Sequence, residues 1–330
     1  MRSDPPYVLC AGILVADLFV PPLAALPDAG QLVATEDFLM DSGGCAANTS
    51  TTLARLGVKA RVAGKVGDDN YGFFIVQDLA RKGVETSGVS TSRRYGTSKT
   101  MILPVIGEDR RFIHTFGANA DFSAADIDRE SLAGASVFYV GGYMVLPDLL
   151  QDDLAALFQL ARSHGVRTAL DVVVPAGGAS VSMHDLERVL PLVDVFMPND
   201  QEAQRLTGEG DPRRQAEALL RAGCETVVIT MGGRGALLMD RAQIIEAPAF
   251  SVALVDSSGA GDAFAGGFIA GMLAGLSQAD ALRFAGAIGA SCCMQLGCTT
   301  GIFTREQSAA FLQSHPMSLK MRSRGGVASG

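Results

Sequence analysis

The chain has 330 residues, which allows one large domain or a main domain with a smaller attachment, and carries a net charge of −8 with a pI near 5.0. That acidity argues against nucleic acid as a partner. Hydrophobic residues make up 48 % of the chain, yet the best candidate span, 263–276, is only about fourteen residues long and rich in Gly, so no membrane association is expected.

Taken in order, Met1 to Pro6 leads straight into a strand, without a basic-then-apolar signal. Tyr7 to Ile13 is an apolar run broken by Gly12, the pattern of a buried strand. Asp17 and a polar turn follow, and Leu32 to Met40 alternates loosely, like an exposed strand. Asp41-Ser42-Gly43-Gly44 opens a helix that carries Asn48 and stops at Gly57. A buried strand is expected at 61–64 and a helix at 71–82. The segments 100–106 and 111–116, joined by the turn Gly107-Glu108-Asp109, read as a β-hairpin. With 17–40 that hairpin forms a small separate sheet.

After Ala120 the chain alternates strands (137–140, 168–172, 193–197, 226–230, 236–239) with helices (147–163, 184–190, 200–206, 212–222). Continuous apolar strands between amphipathic helices argue for a parallel sheet covered on both faces. A β-rich run from Phe250 to Val255 leads into Asp256-Ser257-Ser258-Gly259-Ala260-Gly261-Asp262-Ala263-Phe264. Helical patterns follow at 260–273, 278–296 and 304–313. The tail from Met317, with Lys320, Arg322, Arg324 and several glycines, is expected to be disordered.

In such a sheet, ligands sit beyond the carboxyl ends of the strands. Asp17, Asn48, Asn199, Glu202, Gly232, Asp256 and Asp262 all fall there. The 256–262 loop joins small residues to a helix N-terminus, the makings of a phosphate site. A carboxylate there, Asp262, is either a helix cap or a base that takes a proton from whatever attacks the phosphate. Gly43-Gly44 with Asn48 is either a glycine turn or a close backbone approach to a ligand. It has neither GxGxxG spacing nor a Walker A lysine. Asn199 to Glu202 has capping-box spacing, and also suits a hydrated Mg²⁺ held through water. Thr230 to Gly235 is either a hairpin turn or a bed for a nucleotide's ribose and phosphates. The small-residue segment 286–301 suits close helix packing or one wall of a purine slot. His114, His164, His184 and His315 show no ligand spacing and are assigned no catalytic role. The six cysteines, without CxxC pairing or a His neighbour, read as reduced thiols of a cytoplasmic protein.

Three motifs together, Gly43-Gly44 with Asn48, Asn199 with Glu202, and Asp256 to Asp262, resemble those of the ribokinase-like (PfkB) family of carbohydrate kinases, across roughly Tyr7 to Phe311. The resemblance implies a three-layer α/β/α sandwich with a mostly parallel central sheet and a small β-sheet lid. On that basis the main domain comprises 1–12, 41–96 and 118–316, the discontinuous lid 13–40 and 97–117, and the tail 317–330. It further implies that Asp262 is the catalytic base and that Gly259, Ala260 and Gly261 form the anion hole. Asp17, Gly43, Gly44 and Asn48 match sugar-binding positions. Asn199 and Glu202 match the metal and phosphate element, and Thr230, Gly232 and Gly235 the nucleotide loop. Asp256 is similar to the family's monovalent-cation (K⁺) position, while Gly301 stands where some members carry serine.

The expectation is therefore ATP-dependent, Mg²⁺-assisted phosphorylation of a hydroxyl of a small sugar by a homodimer joined through its lid. Nucleoside kinases and phosphosugar kinases stand beside it, as does a non-catalytic sugar-binding regulatory protein. A base needs an aromatic clamp, for which Phe19, Phe38, Phe112 and Phe116 are available. A phosphosugar needs a cationic one, for which Arg94, Lys99, Arg110 and Arg111 are available.

Overall fold

The structure, a computed structural model, describes residues 6–107, 111–174 and 181–324. The first half holds β1 (Tyr7–Gly12), β2 (Val15–Phe19), β3 (Leu39–Gly43), α1 (Cys45–Arg55), β4 (Lys59–Gly67), α2 (Asn70–Arg81), β5 (Glu85–Ser92), β6 (Lys99–Leu103), β7 (Arg111–Thr115), α3 (Arg129–Gly134), β8 (Val137–Gly141) and α4 (Gln151–Ser163). The second holds β9 (Arg167–Leu170), β10 (Val195–Phe196), α5 (Asp200–Thr207), α6 (Pro212–Arg221), β11 (Thr226–Thr230), β12 (Ala236–Met239), β13 (Gln243–Ala247), α7 (Ala260–Leu273), α8 (Gln278–Cys292), α9 (Arg305–Ser314) and β14 (Lys320–Ser323).

Ten strands form one sheet in the order β14-β13-β12-β11-β10-β9-β8-β1-β4-β5. From β5 to β11 all neighbours are parallel, and β12, β13 and β14 add on antiparallel. Period-two alternation separates the two faces. In β1, Leu9 and Ala11 pack with apolar residues of α3, α4, α5 and α6. Val8 and Cys10 pack on the other side with those of α1, α7 and α8. The architecture is thus helices, sheet, helices. A second sheet, β3-β2-β6-β7, stands apart and includes the expected hairpin, β6 with β7. β3 runs on to Gly43, three residues beyond the expected end of the small sheet segment at 40.

Several expectations are corrected. No strand forms at 250–255. Pro248 has no amide to donate, both edges of β13 are already taken by β12 and β14, and Leu254 and Val255 stand in solvent. The helix expected at 184–190 is two short 3₁₀ turns, because Pro191 interrupts an α-helical ladder there. The tail is not disordered throughout. Lys320–Ser323 pairs antiparallel with β13, covering an edge otherwise left open, while Met317 and Leu319 pack on the core. β5 and β13 went unanticipated: β5 is polar and Gly-containing, and β13 sits one tight turn after β12. Among the described residues no helix is long and apolar enough to cross a membrane, and the six cysteines are free.

α7 is buried nearly all round. Its glycines set how close its neighbours come. A Cβ at Gly266 would lie 2.7 Å from Thr52 Cγ2 on α1, and one at Gly267 would lie 3.0 Å from the Ala285 backbone on α8. This close approach brings the first turns of α1 and α7 together.

Candidate active site

The carboxyl ends of the central strands and the inner face of the small sheet frame a cavity of about 360 Å³, within the range of small-molecule sites. Asp262, in the first turn of α7, faces it. The turn before it depends on glycine. Gly259 has φ of 74°, and a Cβ there would meet Cys298 O at 2.5 Å. No side chain caps α7. Its opening amides therefore include groups with no partner within the helix, at the positive end of the dipole.

The Asp262 carboxylate is held from behind. Asn48 Nδ2 donates to its Oδ2 at 2.8 Å, and Thr49 Oγ1 to its backbone oxygen at 3.3 Å. The Cys45 thiol also hydrogen-bonds the carboxylate. Burial raises the Asp262 pKa, and the Asn48 and Cys45 hydrogen bonds pull against that rise. The cap reading does not describe this residue, since its side chain is aimed into the cavity rather than at its own helix.

Asp171, just past β9, was missed. Its carboxylate, the Cys45 sulfur and the Asp262 carboxylate lie within 4.8 Å of one another. Tyr139 donates to Asp171 at 3.3 Å. Burial holds the Asp171 carboxyl well above the usual range, helped by the charges of Glu202 and Asp262. The available signal was its position, a carboxylate directly after a buried apolar strand, shared with the residues that were noticed.

Asn199 and Glu202 form the capping box in full. Asn199 Oδ1 accepts from the Gln201 and Glu202 amides, and Glu202 Oε2 accepts from the Asn199 amide at 2.9 Å. Both also line the cavity, so the two readings coexist. Burial raises the Glu202 pKa, against its bonds to Asn199 and with the help of Asp262. Thr230 lines the cavity; Gly232 and Gly235 do not. They shape the β11–β12 hairpin, where a Cβ at Gly235 would strike Ala247 O at 2.0 Å.

On the opposite wall, Asp17 faces the same cavity from β2. Gly43 must be glycine because a Cβ there would overlap Asp17 Oδ2 at 1.8 Å. Burial pushes the Asp17 carboxyl up to about 7, against hydrogen bonds from Thr100 and Cys298. Gly44, with φ of 91°, lines the cavity beside Cys45, whereas Asn48 lies behind Asp262 and contributes no lining surface. Asp256 is also outside the lining. Its Oδ1 accepts from Ser258 N and Oγ, and its Oδ2 from Gly297 N at 3.1 Å.

Of the aromatic clamp candidates, only Phe112 lines the cavity, and Phe19 is fully buried. Among the described residues, no lysine or arginine lines the cavity. Arg94 faces Asp148, Lys99 bonds Thr97 O, and Arg110 lies outside the described residues. His114, assigned no role from sequence, lines the cavity. Strand alternation places it on the same face as Phe112.

A base candidate at a helix N-terminus, facing a second carboxylate across a cleft, meets a matching finding from sequence. Residues 5–305 match the pfkB family carbohydrate kinase pattern. The chain belongs to that family. It is 28 % identical over 289 residues to a ribokinase of Haemophilus influenzae, covering 86 % of this chain and 91 % of that one. It is 30 % identical over 294 residues to a 2-dehydro-3-deoxygluconokinase of Bacillus subtilis, covering 86 % and 90 %. Among solved structures, Arabidopsis thaliana ribokinase complexed with ribose and ATP superposes with a TM-score of 0.79 at 23 % identity, covering 94 % of this chain and 99 % of that one. A fructokinase with bound ATP from Xylella fastidiosa gives 0.79 at 23 %, covering 93 % and 98 %. This pfkB-family chain is a carbohydrate kinase, a phosphotransferase whose acceptor is an alcohol group, with the ribokinase-like fold.

Proposed function

We propose that the protein transfers the γ-phosphoryl group of ATP to a hydroxyl of a small sugar. The observation that carries this reading is the placement of Asp262, whose carboxylate reaches the cavity from the uncapped first turn of α7. Asp262 removes the proton of the acceptor hydroxyl as its oxygen attacks the γ-phosphorus. The new P–O bond forms as the bond to the ADP oxygen breaks, ADP leaves, and Asp262 passes its proton to solvent. The Gly259, Ala260 and Gly261 amides offset charge on the transferring group. Asn48 holds the base, and Asp17 receives hydroxyls of the sugar across the cavity. Thr230 beds the nucleotide, and Gly232 and Gly235 shape the β11–β12 hairpin beside it.

Asp171, Glu202 and Asn199 fit a hydrated Mg²⁺, because carboxylates converge on the cavity and, among the described residues, no lysine or arginine lines it. When bound, the ion supplies charge neutralisation for the ATP phosphates. Asp256 fits K⁺ poorly, since both its carboxylate oxygens already hold protein donors. The small sheet acts as a lid that excludes water, a competing acceptor. Its outer face carries a row of apolar residues, Met40, Leu18, Met101 and Ile113, paired across four strands. That row supports a homodimer joined lid to lid. Ile113→Asp is expected to convert a dimer to a monomer by light scattering, and an unchanged mass sinks that assembly. The free thiols support a reducing, cytoplasmic compartment.

ATP consumption across a panel of sugars and nucleosides tests the central reading. Wild-type protein is expected to turn over at least one acceptor. Consumption of none, by folded protein with Mg²⁺ present, favours a sugar-binding protein without catalysis.

A further inference from the structure

The row of the small sheet that contains Asp17 continues beyond it. Register sets Asp41, Asp17, Thr100 and His114 opposite one another on β3, β2, β6 and β7. Neighbours so paired share one face of a sheet. Asp17, Thr100 and His114 line the cavity that holds Asp262. Beside them runs an apolar row, in which Ile102 pairs with Phe112, and both of these also line the cavity.

We propose that His114 selects the acceptor: its ring nitrogen Nε2 accepts a hydrogen bond from a hydroxyl of an uncharged polyol, whose apolar face lies against Phe112 and Ile102. This rests on the phosphotransferase reading above and narrows it to acceptors without a carboxylate or phosphate.

His114 Nδ1 lies 2.9 Å from the Thr100 hydroxyl, and Thr100 pairs across the sheet with Asp17. With the Thr100 proton assigned to Asp17, the Thr100 oxygen accepts from Nδ1–H and Nε2 is left an acceptor. Burial lowers the imidazole pKa, which keeps the ring neutral at neutral pH. Among the described residues, the hydrogen bonding of His114 is confined to Nδ1, and its ring packs edge-on to Phe116 at 5.0 Å. The residue keeps an open side to solvent, as does every residue of β7, while the sheet shields part of its ring. Folding makes little demand on it, whereas a ligand in the cavity meets it directly.

The balance of groups points to the acceptor class. Asp17, Asp171, Glu202 and Asp262 line the cavity, and among the described residues no lysine or arginine does. A sugar acid or sugar phosphate placed between Asp17 and Asp262 meets carboxyl groups on two sides and, among the described residues, no lysine or arginine to offset its charge. A polyol meets acceptors for its hydroxyls and an apolar wall for its C–H face.

The test is steady-state kinetics on the full chain with ATP and Mg²⁺, using D-ribose, D-fructose, 2-deoxyribose and 2-dehydro-3-deoxygluconate. A neutral sugar is expected to be the best acceptor. His114→Ala is expected to raise the KM for that sugar about tenfold, the loss of one good hydrogen bond, while kcat changes little. The KM for ATP and the melting temperature are expected to stay as in wild type. His114→Gln, which offers an amide oxygen near the Nε2 position, is expected to recover part of the loss. An acceptor KM within twofold of wild type in His114→Ala overturns the role of His114. A wild-type preference for 2-dehydro-3-deoxygluconate overturns the uncharged-acceptor class. Both outcomes require an active wild type, so they differ from failure of the kinase reading, in which folded wild-type protein turns over none of the four.

Discussion

The two walls of the cavity are built on opposite principles. The wall that carries Asp262 is packed solid. α7 is buried nearly all round, its glycines admit α1 and α8 to close contact, and Asn48 holds the Asp262 carboxylate from behind. The wall that carries Asp17 and His114 is a four-stranded sheet whose edge strand, β7, is exposed along its whole length. A base must hold its position within a fraction of an ångström, so it sits where packing leaves no alternative. The wall that reads the acceptor can change side chains without disturbing the core. On the proposed function, the chemistry belongs to the rigid wall and acceptor choice to the exposed one.

The sharpest way to break this contrast is Asp262→Asn. General-base catalysis is worth about 10²–10⁴-fold, so kcat is expected to fall by about a thousandfold. Calorimetric binding of ATP and acceptor should persist. Turnover within tenfold of wild type would remove Asp262 from the chemistry.

Gly266→Ala probes the rigid wall without touching a reacting group. The new Cβ lands 2.7 Å from Thr52 Cγ2 and forces α1 away from α7. Overpacking of this kind costs about 1–3 kcal/mol. The melting temperature is expected to drop by several degrees, and kcat to fall about tenfold as the Asn48–Asp262 bond loosens. Loss of stability with full activity would show that the helix spacing does not govern the base.

Asp17→Asn gives the smallest effect, and its sign is set by pH. The Asp17 carboxyl is raised to about 7 in the fold, chiefly by burial, from an ordinary value near 4. The protonated form is the one the fold prefers. Its stabilisation is present in full below pH 4 and is lost as pH rises through about 7. At pH 8 the variant is thus expected to melt a few degrees above wild type, with the gap closing towards pH 4. A gap independent of pH would mean that Asp17 is not held in a low-dielectric setting.

The chemistry-bearing loop was legible in the chain because its signals are local. Small residues, a carboxylate and a helix start fall within nine consecutive positions, 256–264. The parallel strands were legible too, since strands buried on both faces read as unbroken apolar runs. Where local pattern failed, a distant partner had decided the outcome. Phe250 to Val255 has strand composition but pairs with no strand, and the outer edge of β13 is taken instead by the polar segment Lys320–Ser323, which lacks strand composition.

The same division holds in the site. In the sequence, the 256–262 loop offered a phosphate site with Asp262 as cap or base, because a helix N-terminus and its first-turn carboxylate are neighbours in the chain. The reaction class followed from the family resemblance of three motifs together. Sequence by itself also determined the layered α/β frame, through periodicity. Only tertiary structure decided that Asp171 stands beside Asp262, that Asn48 bonds the Asp262 carboxylate, and that His114 reaches Thr100 at the cavity. Each of those contacts joins residues 14 or more positions apart, up to 214 in the case of Asn48 and Asp262. They exist only once strand register and helix packing have closed the distance.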